Sequence, residues 1–142
     1  MLKNIDPLLG GELLRHLDEL GHGDVLAIVD RNYPAYTVGA PVIRVDAGIV
    51  RVAEAILSVF PLDFVVPPLA TMEAYDDPSH VMPTLARVHE LANDAEGRVL
   101  EVESIPRFSF YERARAAHCV VLTREDEPYN NLLLVKGVIP QG

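Results

Sequence analysis

The amino-acid sequence predicts an α/β fold: a single domain over residues 1–142, built as a layered sheet flanked by helices. Two observations carry this. Val25 to Val29 is an unbroken apolar run between turn signals, the mark of a strand covered on both faces. Around it, segments with apolar residues at helical spacing alternate with short apolar runs along the whole chain. A 49% hydrophobic content over 142 residues suffices for one real core.

The elements follow in order. "GELLRHLDELG" sets Leu13, Leu14, Leu17 and Leu20 at helical spacing, with Gly21 as the expected C-cap. Val25 to Val29 is the first strand. "AGIVRVAEAILSVFP" is a helix burying Ile49, Ala53, Ile56, Leu57 and Phe60, stopped by Pro61. In "LDFVVPPLATMEAY", Pro67 and Pro68 donate no hydrogen bonds, so an edge or bent strand is expected there. "PTLARVHELANDAEG" is an amphipathic helix with Leu85, Val88, Leu91, Ala92 and Ala95 inward, and "RVLEVES" is the strand after it. "PRFSFYERARAAH" opens with Pro106 and continues with good helix formers. "CVVLTRE" and "NLLLVKGVI" are two apolar strands joined by the polar loop "DEPYNN".

Twelve basic against twenty-one acidic side chains give a formal charge of −9, which opposes binding to nucleic acid and to anionic membranes. The single cysteine, Cys119 in "HCVVL", reads as a buried core thiol, excludes an intrachain disulfide and suits a reducing cytoplasm. Asp6, Pro7 and Glu12 interrupt the N-terminal segment where a secretory signal needs an apolar run, so that segment is expected to belong to the fold. No apolar stretch approaches the ~20 residues of a membrane span.

Nucleotide motifs are absent: no G-x-x-x-x-G-K-[ST] or G-x-G-x-x-G occurs, and the glycines of "GHGD" follow a helix rather than a strand. The histidines at 16, 22, 80, 89 and 118 show no H-x-x-x-H or H-x-H spacing, so a metal site would have to be assembled from distant parts of the chain; none is expected. "YDDPSH" could be an acid cluster for a metal, but Asp-Asp-Pro-Ser is ordinary turn chemistry, and a turn is expected. Ligand sites of open α/β sheets lie at strand ends and the loops that follow, which groups Asp30, Arg107, Tyr129 and Asn131.

From "MLKNIDPLL" through "ELGHGD", "IRVDA", "RFSFYERARAA" and "PYNN" to "LLLVKGV", the chain resembles the RbsD/FucU family of sugar pyranases and mutarotases, nearest its fucose mutarotase branch. The resemblance implies an RbsD-like fold and interconversion of the α and β anomers of a monosaccharide, L-fucose or a related aldose, without a cofactor. It implies His22 of "GHGD" as the acid/base and Asp30 as a sugar-binding aspartate. Arg107 falls where the fucose branch has arginine and the ribose branch histidine. Tyr111 matches a tyrosine near the sugar, and Tyr129 and Asn131 match the loop that closes the pocket. It further implies a ring, commonly a decamer, whose pocket is bordered by a neighbouring subunit; the cytoplasmic location is the expectation from the single cysteine. Arg31, Tyr36, Arg124 and Asn130 depart from the family pattern and bear on which sugar hydroxyls are accepted.

The residue chemistry fits. Anomer exchange opens the hemiacetal and recloses it on the other carbonyl face, so one proton must reach the ring oxygen and another must leave the anomeric hydroxyl. Histidine, with an ordinary pKa near ~6.5, exchanges protons in both directions at neutral pH. Asp30 and Arg107 can hold vicinal hydroxyls by charge-assisted hydrogen bonds.

Taken singly, the same residues have plainer readings. His22 could cap the preceding helix, Asp30 could cap a turn, Arg107 could pair with Glu103 or Glu112, and Tyr111 could be core. A non-catalytic monosaccharide-binding accessory protein of a transport or utilisation system would keep Asp30, Arg107 and Asn131 without needing His22. A mainly structural ring protein would need none of them.

Overall fold

The computed structural model describes residues 1–141. Eleven elements follow one another: α1 (Gly11–Glu19), β1 (Val25–Val29), α2 (Ala35–Val38), β2 (Val42–Arg44), α3 (Ile49–Leu57), β3 (Leu69–Met72), α4 (Pro83–Glu96), β4 (Val102–Ile105), α5 (Arg107–Arg115), β5 (Cys119–Leu122) and β6 (Leu132–Val135). The six strands form one sheet in the order β2-β5-β1-β6-β3-β4. β6 runs antiparallel to both of its neighbours, β1 and β3, whereas the β1–β5, β2–β5 and β3–β4 pairs are parallel. Five strands therefore point one way, and β6 alone points back.

Strand alternation assigns the two faces. Leu26 and Ile28 of β1 join α1, α3 and α4 in one apolar cluster, through Leu13, Ile56 and Val88 among others. Ala27 and Val29 join α2 and α5 in the other, around Phe110. The fold is thus three layers, helices on both sides of the sheet, as the buried run Val25 to Val29 predicts. Leu132, Leu133 and Leu134 of β6 are fully buried, as are Cys119 and Val120 of β5. Each such large aliphatic contributes roughly 1.5–3 kcal/mol by leaving water.

Three expectations change. Gly21 is not a left-handed cap: α1 ends at Leu20, whose N–H bonds the His16 carbonyl. Lys136 Nζ instead takes the Leu17 and Leu20 carbonyls, placing a cation at the negative end of α1. Pro67 and Pro68 do not make an edge strand, because they precede β3, which pairs on both sides, and β4 forms the edge. The Pro68 carbonyl still accepts from Val135 N–H at 2.9 Å. Ala95 faces solvent, while Leu85, Val88 and Ala92 of α4 are buried.

No helix among the described residues is long and apolar enough to cross a membrane. Asp77 accepts Ser79 N–H at 2.9 Å and its hydroxyl at 2.7 Å, so "YDDPSH" is a turn.

Candidate active site

The parallel strands end together, and β6 begins there. Asp30 leaves β1, Met72 ends β3, and Pro106 turns β4 into α5, so that Arg107 is its first residue. Asn131 leads into β6 from the other direction. Asp30, Asn32, Tyr33, Pro34, Met72, Arg107, Tyr111, Pro128, Tyr129 and Asn131 line one hollow of about 240 Å³. That is the carboxyl-end location open α/β sheets give to ligands.

Asp30 and Asn131 form its floor, 4% and 3% exposed. Asn131 Oδ1 accepts Asp30 N–H at 2.8 Å, tying the start of β6 to the end of β1 across 101 residues of chain. Asp30 Oδ1 accepts Asn32 N–H at 3.0 Å, which shapes the turn that brings Tyr33 back. Burial pushes the Asp30 carboxyl above its ordinary range, and hydrogen bonds from Asn32 and Asn131 only partly offset this. A buried carboxylate of this kind gains from hydroxyl donors.

Aromatic rings make the walls. Tyr111 packs edge-on to Tyr33, with centroids 5.5 Å apart, and Tyr33 packs against Phe110 at 5.8 Å. Tyr129 lies tilted against Tyr75 at 4.8 Å. Its φ of 62° is left-handed backbone, unfavourable for a tyrosine and held by the loop. The middle residue of that loop, Asn130, is buried and donates to the Glu127 and Pro128 carbonyls, so it braces the turn. Arg107 is exposed and lies over the Phe108 ring at 4.9 Å. Among the described residues it forms no ion pair; Glu103 faces Arg113 instead, at 3.6 Å. A free cation on the first turn of a helix opposes the helix dipole, so its position needs another reason.

His22 is not in this hollow. It precedes β1 while Asp30 follows it, and five strand residues at roughly 3.3 Å each hold the two about 16 Å apart or more. Nor does His22 cap α1. Its Nε2 bonds Asp63 Oδ1 at 2.9 Å, with the imidazole 47% exposed and the carboxylate buried. Asp63 also accepts N–H groups from Phe64 at 2.9 Å and Val65 at 3.3 Å. Burial works against the Asp63 anion, but the His22 bond and these N–H donors outweigh it and hold the carboxyl below its ordinary range.

The chain path explains the pairing. Gly23 N–H bonds the Lys136 carbonyl at 2.8 Å, and Gly137 N–H bonds that of Pro61 at 2.9 Å. A Cβ on Gly137 would come 2.4 Å from the Leu62 carbonyl oxygen, so only glycine lets the Leu62–Asp63 backbone pass. Beyond Asp63 the apolar side chains of Phe64, Val65 and Val66 are exposed.

The structure therefore gathers Asp30, Arg107, Tyr111, Tyr129 and Asn131 at one end of the sheet and sets His22 at the other. Sequence reasoning missed Tyr33 and Asp63. Tyr33 is signalled only by its place in the turn after Asp30; its hydroxyl is buried and unpartnered. Asp63 lies 41 residues from His22 and has no local signal.

A family model described as the RbsD / FucU transport protein family matches residues 3–139. The protein Atu2016 superposes with a TM-score of 0.94 at 41% identity, covering 99% of this chain and 97% of its own. FucU from Bifidobacterium longum gives 0.89 at 39%, covering 97% and 100%. The fucose mutarotase of Streptococcus pneumoniae, solved with L-fucose, gives 0.88 at 30%, covering 98% and 100%.

Proposed function

The chain belongs to the RbsD/FucU family, and from that premise we propose that it interconverts the α and β anomers of a monosaccharide, L-fucose or a closely related aldose. One observation carries the reading: a buried carboxylate, an amide, an unpaired arginine and three tyrosines converge on a hollow of about 240 Å³. This is below the ~300–1,000 Å³ of drug-sized sites and suits a single sugar ring. Asp30 accepts hydroxyl protons, Arg107 donates to hydroxyl oxygens, and the rings of Tyr111 and Tyr129 orient the sugar. The buried Tyr33 hydroxyl would gain the partner it lacks.

His22 completes the site from a neighbouring copy of the chain. The imidazole is exposed beside the apolar Phe64–Val66 segment, and the hollow is rimmed by exposed Tyr75 and Phe108. Two such patches at opposite ends favour head-to-tail association, which closes into a ring, with a decamer as our expectation. In that arrangement His22 moves a proton between the anomeric hydroxyl and the ring oxygen, and Tyr111 stands on the sugar's own side as a second proton-bearing group.

A second reading, a sugar-binding accessory without catalysis, draws on the same separation, since one copy holds a complete binding hollow without His22. Saturation-transfer NMR of anomeric protons across a panel of aldoses separates the two. Faster α/β exchange, unchanged by EDTA, is expected for L-fucose or a stereochemical relative. Binding with an unchanged exchange rate for every sugar would leave only the accessory reading.

A further inference from the structure

At the end of the sheet opposite the hollow, three potential ligands meet. His16 and Glu19 stand three residues apart on α1 and so share one face. His118 sits in the turn before β5, where its N–H bonds the Val25 carbonyl at 2.8 Å. One donor atom from each of the three lies within 4.8 Å of the others. The two imidazoles meet edge-on, centroids 5.3 Å apart.

Two ring nitrogens here, His16 Nδ1 and His118 Nε2, are buried and have no hydrogen-bond partner. His16 as a whole is only 7% exposed. Leaving two such groups unsatisfied in one spot is costly, and native interiors rarely do so without an occupant. The Glu19 carboxylate approaches His118 Nε2 at 3.5 Å and supplies the negative charge. We propose that His16, Glu19 and His118 form a binding site for a divalent transition-metal ion of zinc-like ligand preference, joining the end of α1 to the start of β5.

The ligand set, two imidazoles and a carboxylate, suits zinc and its first-row neighbours and leaves a fourth position open. Arg15 is the competitor: it bonds Glu19 Oε1 at 2.8 Å and lies 3.2 Å from His16 Nε2. With Nε2 accepting from Arg15, Nδ1 carries the ring proton. On metal binding Nδ1 gives up that proton, Nε2 takes one from solvent, and Arg15 swings out, freeing Glu19. Zinc–nitrogen bonds of ~2.0–2.1 Å then draw the three donors together.

The test is calorimetry of Zn²⁺ against the full-length protein stripped with EDTA and dialysed, paired with Co²⁺ absorption in the visible. One Zn²⁺ per chain is expected, with a higher melting temperature and Co²⁺ bands of a low-coordinate N/O site. E19Q and H118Q should each weaken Zn²⁺ by more than about 100-fold, beyond the loss typical of an outer-shell partner. Glu19 is exposed enough for E19Q to fold even if a His16 variant does not. R15Q should tighten binding several-fold, because it releases both Glu19 and His16. Absence of Zn²⁺ heat with the native chain would overturn the site and leave the nitrogens to a bridging water. Binding that survives E19Q and H118Q but is lost in H22N would also overturn it.

Discussion

If His22 works in the next copy's hollow, two impaired variants should repair each other. His22→Asn removes the proton shuttle and should lower anomer exchange about 10²–10⁴-fold. Asp30→Asn keeps His22 but weakens the grip on sugar by about 1–3 kcal/mol. A proton donor must come within about 2.6–3.2 Å of its acceptor, and β1 alone separates the two residues by about 16 Å. No single chain can therefore bring both to one sugar. In rings assembled from equal amounts of the two variants, half the hollows have native Asp30 and half the neighbours bring native His22. About a quarter of the sites then hold both, if each copy meets one neighbour head to tail. Were the site completed within one chain, every site would carry one lesion and none would recover. The assay is saturation transfer on the anomeric protons at sub-saturating sugar, comparing co-expressed mixed assemblies with the separately purified variants mixed without subunit exchange. Mixed assemblies no more active than the average of the two parents would refute the shared site.

The other predictions follow from the two aspartates. Because burial raises the Asp30 carboxyl, sugar affinity, which needs the anion, should fall on acidification at a pH above the ordinary ~3.9 of aspartate; titration calorimetry across pH should show this acid limb flattened in Asp30→Asn. Asp63 is held low, so its contribution to stability is present above the unfolded value near ~3.9 and is lost as pH falls through the lower folded value. Urea melts of Asp63→Asn should lack that acid dependence. The same variant weakens the orientation of His22 and should slow exchange about ten- to a hundred-fold at unchanged sugar affinity, the scale of a hydrogen bond to a charged group.

What the sequence made legible was set by length scale. Val25 to Val29 and the helical run through Ile49, Ala53 and Ile56 carry their burial in the local pattern, and the structure buries them from Leu26 to Val29 and at all three helix positions, with Val25 half-buried. α2 and β2, at four and three residues, are too short for any period to show. Gly21 misled because α1 is capped by Lys136, 116 residues downstream of Leu20. The prolines at 67 and 68 misled because their effect stops where β3 starts; which strand becomes the edge depends on β4, far along the chain. The hollow was partly legible, since Asp30, Arg107 and Asn131 stand at element boundaries. The His22–Asp63 pair was not, because it is created by the backbone crossing at Gly137.

The reversed strand β6 gives these ends a fixed relation. Its first residues adjoin Asn131 and Tyr129 at the hollow, and the residues just past its end, Lys136 and Gly137, hold the segments that carry His22 and Asp63. β6 acts as a ruler whose two marks are a socket and a plug. Its length is set by a fully buried leucine run in the middle of the sheet, which loops at either end cannot stretch. In the proposed mechanism, changes at the socket can then retune which hydroxyls are admitted without disturbing His22. In the proposed ring, curvature would then be a property of the sheet's core rather than of its surface.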